Sequence, residues 1–135
     1  MNLNRYGKKL KKAINQSVSE HLQKTHAALV DASPVDTGRL ASSWNMGHNT
    51  MDLSTKPKDW KGGPVLNKYS KKITAEGSWY ISNNLDYASI TALDPTRGVY
   101  GKGGRVGASM WFSNIATQQK QQFNTILQNN LNLIR

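Results

Sequence analysis

Cysteine is absent from this chain of 135 residues, which excludes a disulfide framework, a thiol nucleophile and a thiolate metal site. Acidic residues are scarce too: eight Asp and Glu stand against eighteen Lys and Arg, leaving a formal charge of +10. A field of that sign favours an anionic partner, whether nucleic acid, anionic lipid or an acidic protein ring. Apolar residues make up only 37%, so buried surface must be concentrated in a few well-patterned segments. No long apolar run follows the opening Met1-Asn2-Leu3-Asn4-Arg5-Tyr6-Gly7-Lys8-Lys9. Neither a signal peptide nor a membrane helix is therefore expected, and the expected location is the cytoplasm. At this length a single domain over 1–135 is the expectation.

What is present is helical periodicity at both ends. Leu3, Tyr6, Leu10, Ala13, Ile14, Val18, Leu22, Leu29 and Val30 fall on one face of a first amphipathic helix, which should stop at Ser33-Pro34 because proline disfavours helical geometry in the residue before it. Asp36 is placed to cap a second, brief helix carrying Leu40 and Trp44. A weak alternation over 44–53 suggests a strand, and a clearer one runs over 73–82, with Ile73, Ala75, Gly77, Trp79 and Ile81 on its apolar side. Between them, residues 55–72 combine proline, glycine and six lysines, the composition of an exposed basic loop. A second glycine-rich loop follows over 98–107, and Phe112, Ile115, Phe123, Ile126, Leu127 and Leu131 mark a closing amphipathic helix. The resulting fold class is α+β, a small mostly antiparallel sheet packed by long N-terminal and C-terminal helices.

Three constellations invite a chemical reading. Asp36-Thr37-Gly38 is the triplet of aspartic proteases, but it follows Ser33-Pro34-Val35 rather than a buried strand and occurs once; a helix cap explains it better. His21 and His26 are five residues apart, which does not align two metal ligands on one helical face, so His21 is expected at the edge of the apolar stripe and His26 and His48 in solvent. Gly101-Lys102-Gly103-Gly104-Arg105 lacks the order of a phosphate-binding P-loop. No catalytic, metal or cofactor site is therefore assigned, and no enzyme activity.

The basic clusters carry more weight. Arg5, Lys8, Lys9, Lys11 and Lys12 crowd the start of the first helix, where solvated surface and phosphate contact are equally good readings. In the central loop, Lys56, Lys58, Lys61, Lys68, Lys71 and Lys72 are interleaved with Trp60 and Tyr69, which could stack on bases or on a neighbour; this tips the loop toward facing DNA or a partner.

The run Ser33-Pro34-Val35-Asp36-Thr37-Gly38-Arg39-Leu40-Ala41-Ser42-Ser43-Trp44, followed by Tyr80-Ile81-Ser82-Asn83-Asn84-Leu85-Asp86-Tyr87-Ala88, resembles a family of small tailed-phage tail-completion and head-to-tail joining proteins. The resemblance makes Pro34, Asp36, Thr37, Gly38, Leu40, Asn83, Tyr87 and Ala88 structural or assembly residues. It departs after Ala88, where family members often carry a glutamate and glycine and this chain reads Ser89-Ile90-Thr91-Ala92-Leu93-Asp94. What it implies is a virion neck protein that forms a ring, a hexamer favoured over a dodecamer. Such a ring docks the tail to the portal and its adaptor around the double-stranded DNA channel, without contact with a membrane. The alternative is a small non-specific nucleic-acid-binding protein, for which the charge is the case.

Overall fold

The computed structural model describes residues 3–33, 38–85, 88 and 111–134. Within them lie helix α1 (Leu3–Ala32), a single 3-10 turn (Ala41–Ser43), strands β1 (Trp44–His48) and β2 (Trp79–Asn83), and helix α2 (Trp111–Asn132). The architecture is α+β, with two long helices packing on a two-stranded antiparallel sheet.

Helix α1 ends where the sequence requires. Ser33 N–H still bonds back to Leu29 O at 3.2 Å and its hydroxyl donates to the same carbonyl at 2.7 Å, after which Pro34 cannot extend the ladder. The 3-10 turn has Leu40 at its N-cap position, with no side-chain capping bond. Asp36, the expected cap, lies outside the described residues; the turn starts five residues beyond it, and Ser42 N–H donates to Gly38 O at 2.9 Å.

The sheet is shorter than the alternation suggested. Its register runs from Trp44↔Asn83 to His48↔Trp79, so of residues 73–82 only those from Trp79 onward are strand. Two left-handed residues stop it: Asn49 at φ 63° ends β1, and Gly77 at φ 76° breaks the approach to β2. A Cβ on Gly77 would strike the Asn49 and His48 side chains, so the bend requires glycine. Residues 73–78 instead fold toward α1, where Ala75 N–H donates to Asn15 Oδ1 at 2.9 Å.

One face of the sheet carries Trp44, Met46 and Ile81 toward the helices; the core gathers Leu29 and Val30 of α1, Leu40, Ala41, Trp44, Leu85, Ala88 and Ile115 of α2. Trp44 is its hub. Its indole stacks on Phe112 at 5.8 Å between ring centres, and its Nε1–H donates to Ser33 Oγ at 2.8 Å, so a large aromatic is buried with its polar edge satisfied. The helices run antiparallel: Asn130 Nδ2 donates to the buried Ser17 hydroxyl at 3.0 Å, and Phe123 packs on His21 at 4.8 Å. Ser17 in turn donates to Ala13 O at 2.7 Å, so the Asn130–Ser17 pair is satisfied, while His21 Nδ1 and Gln119 Oε1 are buried without a hydrogen-bond partner among the described residues.

Two histidines differ from expectation. His26 is not in solvent but only 2% exposed, and its Nε2, which must carry the proton to meet a carbonyl, donates to Trp44 O at 2.9 Å. The cause is that strand β1 lies across α1, which sets Trp44 O against the His26 ring. His48 is half-buried, stacked on Trp79 at 4.1 Å, and donates from Nε2 to Glu76 O at 2.8 Å. His21 does lie at the edge of the helix seam, against Phe123.

Candidate functional site: a basic groove

The sites singled out in the sequence separate into a buried junction and an exposed groove. In the junction, Gly38 (φ 84°) sits against Gly63 so closely that a Cβ there would run into the Gly63 and Pro64 backbone. Leu40 and Ala88 are in the core, and Asn83 ties their segments together: its Nδ2 donates to Leu40 O at 2.8 Å while its Oδ1 accepts from Leu85 N–H at 3.1 Å. Four of the eight motif residues are thus brought to one place. Pro34, Asp36, Thr37 and Tyr87 lie outside the described residues, as does the glycine-rich loop over 98–107.

The junction also fastens the central loop. Ser42 Oγ accepts from Val65 N–H at 2.7 Å and donates to Gly63 O at 3.0 Å; Asn67 Nδ2 reaches Ser42 O at 2.7 Å; Asn45 Nδ2 donates to Ser54 O at 2.6 Å. Arg39 Nε donates to Lys56 O at 2.8 Å, and Lys56 N–H to Ser43 Oγ at 3.1 Å. These side chains supply the bonds that strand pairing would supply in a sheet, which is why residues 54–67 hold a course without regular structure. Small polar residues in the Ala41-Ser42-Ser43 turn were the available signal for this network, and sequence reasoning missed it.

The loop's two aromatics are engaged within the chain. Trp60 donates from Nε1 to Gly63 O at 2.9 Å and carries the Lys56 ammonium over its ring at 4.8 Å, a cation–π contact. Tyr69 meets Trp79 edge-on at 5.2 Å. Both rings thus have partners inside the chain.

The lysines divide. Lys71 and Lys72 meet Lys8, Lys11 and Lys12 of α1 along one open groove of about 730 Å³, whose wall continues along the helix through Asn15, Gln16, Ser19 and Glu20 to Gln23, with Ile73 at its base. Two clusters about sixty residues apart in sequence are juxtaposed because residues 73–78 fold onto α1 through the Ala75–Asn15 bond. Lys68 lines a smaller neighbouring cavity of about 140 Å³ with His26, Met46 and Tyr69, adjoining the groove through Gln23 and Ile73. Lys56, Lys58 and Lys61 line neither. Within the groove Lys11 pairs with Glu76 at 3.6 Å, an exposed contact of little energetic weight.

Chemically this is an anion-attracting surface. Among the described residues no group of three or more His, Cys, Asp or Glu is placed to hold a metal ion. The groups with displaced pKa lie elsewhere: burial lowers His21 and His26, the latter against an opposing bond to Trp44 O, and hydrogen bonds from Ser54 lower Asp52. No helix among the described residues is long and apolar enough to cross a membrane.

Two long helices on a two-stranded antiparallel sheet, with a buried polar junction and an open basic groove, make this an α+β subunit. The family model described as "Bacteriophage HK97-gp10, putative tail-component" matches residues 1–91, two thirds of the chain, and the chain belongs to that family. It is thus a bacteriophage tail component of structural type, and both motifs behind the earlier resemblance fall inside the matched region. Comparison with curated proteins and with solved structures returned no match.

Proposed function

We propose that this chain is a non-enzymatic virion subunit that closes into a ring at the phage neck. There it joins the tail to the portal and adaptor proteins and surrounds the channel through which double-stranded DNA passes. The observation that carries the reading is membership of the tail-component family over residues 1–91. Supporting it, the two motifs of the joining proteins meet around Asn83 and Leu40, so the same residues that carry the resemblance hold the fold. Head-to-tail contacts between identical subunits close into a ring when their rotation permits, and a hexamer is our first choice over a dodecamer. We take the chain over 1–135 as one domain, assembled in the host cytoplasm and resident in the virion neck.

Electron microscopy of lysates from a phage lacking this gene, with the gene supplied in trans as control, tests the role. Separate DNA-filled heads and complete tails, rescued by the control, are expected; normal infectious particles would overturn it. A second reading, a free non-specific nucleic-acid-binding protein, draws on the lysine groove. It predicts that joined particles form normally without the gene.

A further inference from the structure

We propose that the groove between the first half of α1 and the end of the central loop is a binding site for the phosphate backbone of double-stranded DNA. Lys8, Lys12, Lys71 and Lys72 are its principal contacts, all of them to phosphate. The choice of DNA as the biological anion rests on the proposed neck role; the anion chemistry rests on the groove alone.

Three features carry the inference. First, tertiary structure concentrates five lysines on one concave surface, and only Lys11 among them has an ion pair among the described residues. Second, the lining is of the wrong kind for a protein partner. Protein interfaces are depleted in lysine at their centres and enriched in aromatics, methionine and arginine. This groove has no arginine and no aromatic, and its one large apolar residue, Ile73, is already 7% exposed and offers nothing further to bury. Lysine ammoniums on an open polar wall suit a hydrated polyanion, which needs point charges rather than a shaped apolar pocket.

Third, the dimensions fit. From Lys8 to Gln23 the helix rises about 22 Å at its standard pitch, which spans about six phosphates along one strand. Lysines crowd one end and Glu20 stands nearer the other, so contact with about four phosphates is expected.

The test is fluorescence anisotropy of the full-length protein on a short random-sequence DNA duplex across a salt series. About four neutralised phosphates give a slope of log K against log salt of about −3.6. Lys8→Gln/Lys71→Gln/Lys72→Gln, with Tm unchanged, is expected to weaken binding at least tenfold and to flatten the slope by about 2.7. Lys24→Gln/Lys58→Gln/Lys61→Gln removes equal charge from exposed positions outside the groove and is expected to change both far less. Equal losses in the two triples would assign binding to the overall +10 charge and overturn the site. So would tight binding of a poly-glutamate peptide with no binding of duplex DNA at low salt, which would make the groove a seat for an acidic protein segment. Failure of the neck reading shows in the lysates, not in this slope, so the two ideas fail separately.

Discussion

The junction around Leu40 and Asn83 and the groove around Lys8 and Lys72 make opposite use of polar residues. In the junction Ser42, Ser43, Asn45, Asn67 and Asn83 spend their hydrogen-bonding capacity inside the chain, each tying down a backbone group. In the groove Asn15, Gln16 and Gln23 are also bonded within the chain, but of the five lysines only Lys11 has an ion pair among the described residues, so charge rather than amide capacity is left for a ligand. The lesson is that a family motif and a binding surface need not coincide: the motif's described residues serve the fold, and the candidate surface is built from residues outside it.

That contrast is broken if junction substitutions leave stability untouched or groove substitutions do not. The largest effect is expected for Trp44→Ala, which removes the hub of the core and its bond to Ser33, costing about 3–5 kcal/mol in denaturant unfolding. Gly38→Ala should follow at about 1–3 kcal/mol, because its φ of 84° and the neighbouring Gly63 backbone leave no room for a methyl group. Asn83→Ala leaves Leu40 O and Leu85 N–H without their partner and should cost about 1–3 kcal/mol. A Tm within error of wild type for Asn83→Ala would mean that the two motif segments are held together by apolar packing alone.

Smaller, and useful for separating the regions, is the response to acid. Burial holds the pKa of His26 and His21 below 6.5, so the unfolded chain takes up protons there that the folded chain resists. Stability from this source is full above 6.5 and declines as pH falls through 6.5 toward the folded values. Tm should therefore drop on acidification, and His26→Gln, less stable at neutral pH, should show a shallower drop. An unchanged pH slope in that variant would assign the acid response to other groups. The smallest stability change belongs to the groove: Lys8→Gln/Lys71→Gln/Lys72→Gln should shift unfolding by less than about 0.5 kcal/mol, since the three are exposed. A larger loss would make these lysines part of the fold.

Both helices were legible in the sequence because their apolar residues recur at helical spacing over many turns, and Ser33-Pro34 fixed the first helix's end. The strand over 73–82 was overextended because alternation continues through Gly77, whose left-handed backbone is invisible to a pattern of side chains. His26 was misjudged because its burial comes from strand β1 lying across α1, a contact between segments eighteen residues apart. Composition could not show that Trp60 and Tyr69 have partners inside the chain in Gly63 and Trp79.

By itself the sequence determined the charge, the absence of thiol chemistry, the two amphipathic helices and the α+β class, since each follows from residue type or from local periodicity. Only the tertiary structure decided that six loop lysines divide, that two of them join three from α1 in a groove, and that Gly38, Leu40, Asn83 and Ala88 converge. The reason is that helical and strand periods are set by backbone geometry within a few residues, whereas the meeting of Lys8 with Lys72 depends on how residues 73–78 turn back onto α1 through one bond to Asn15.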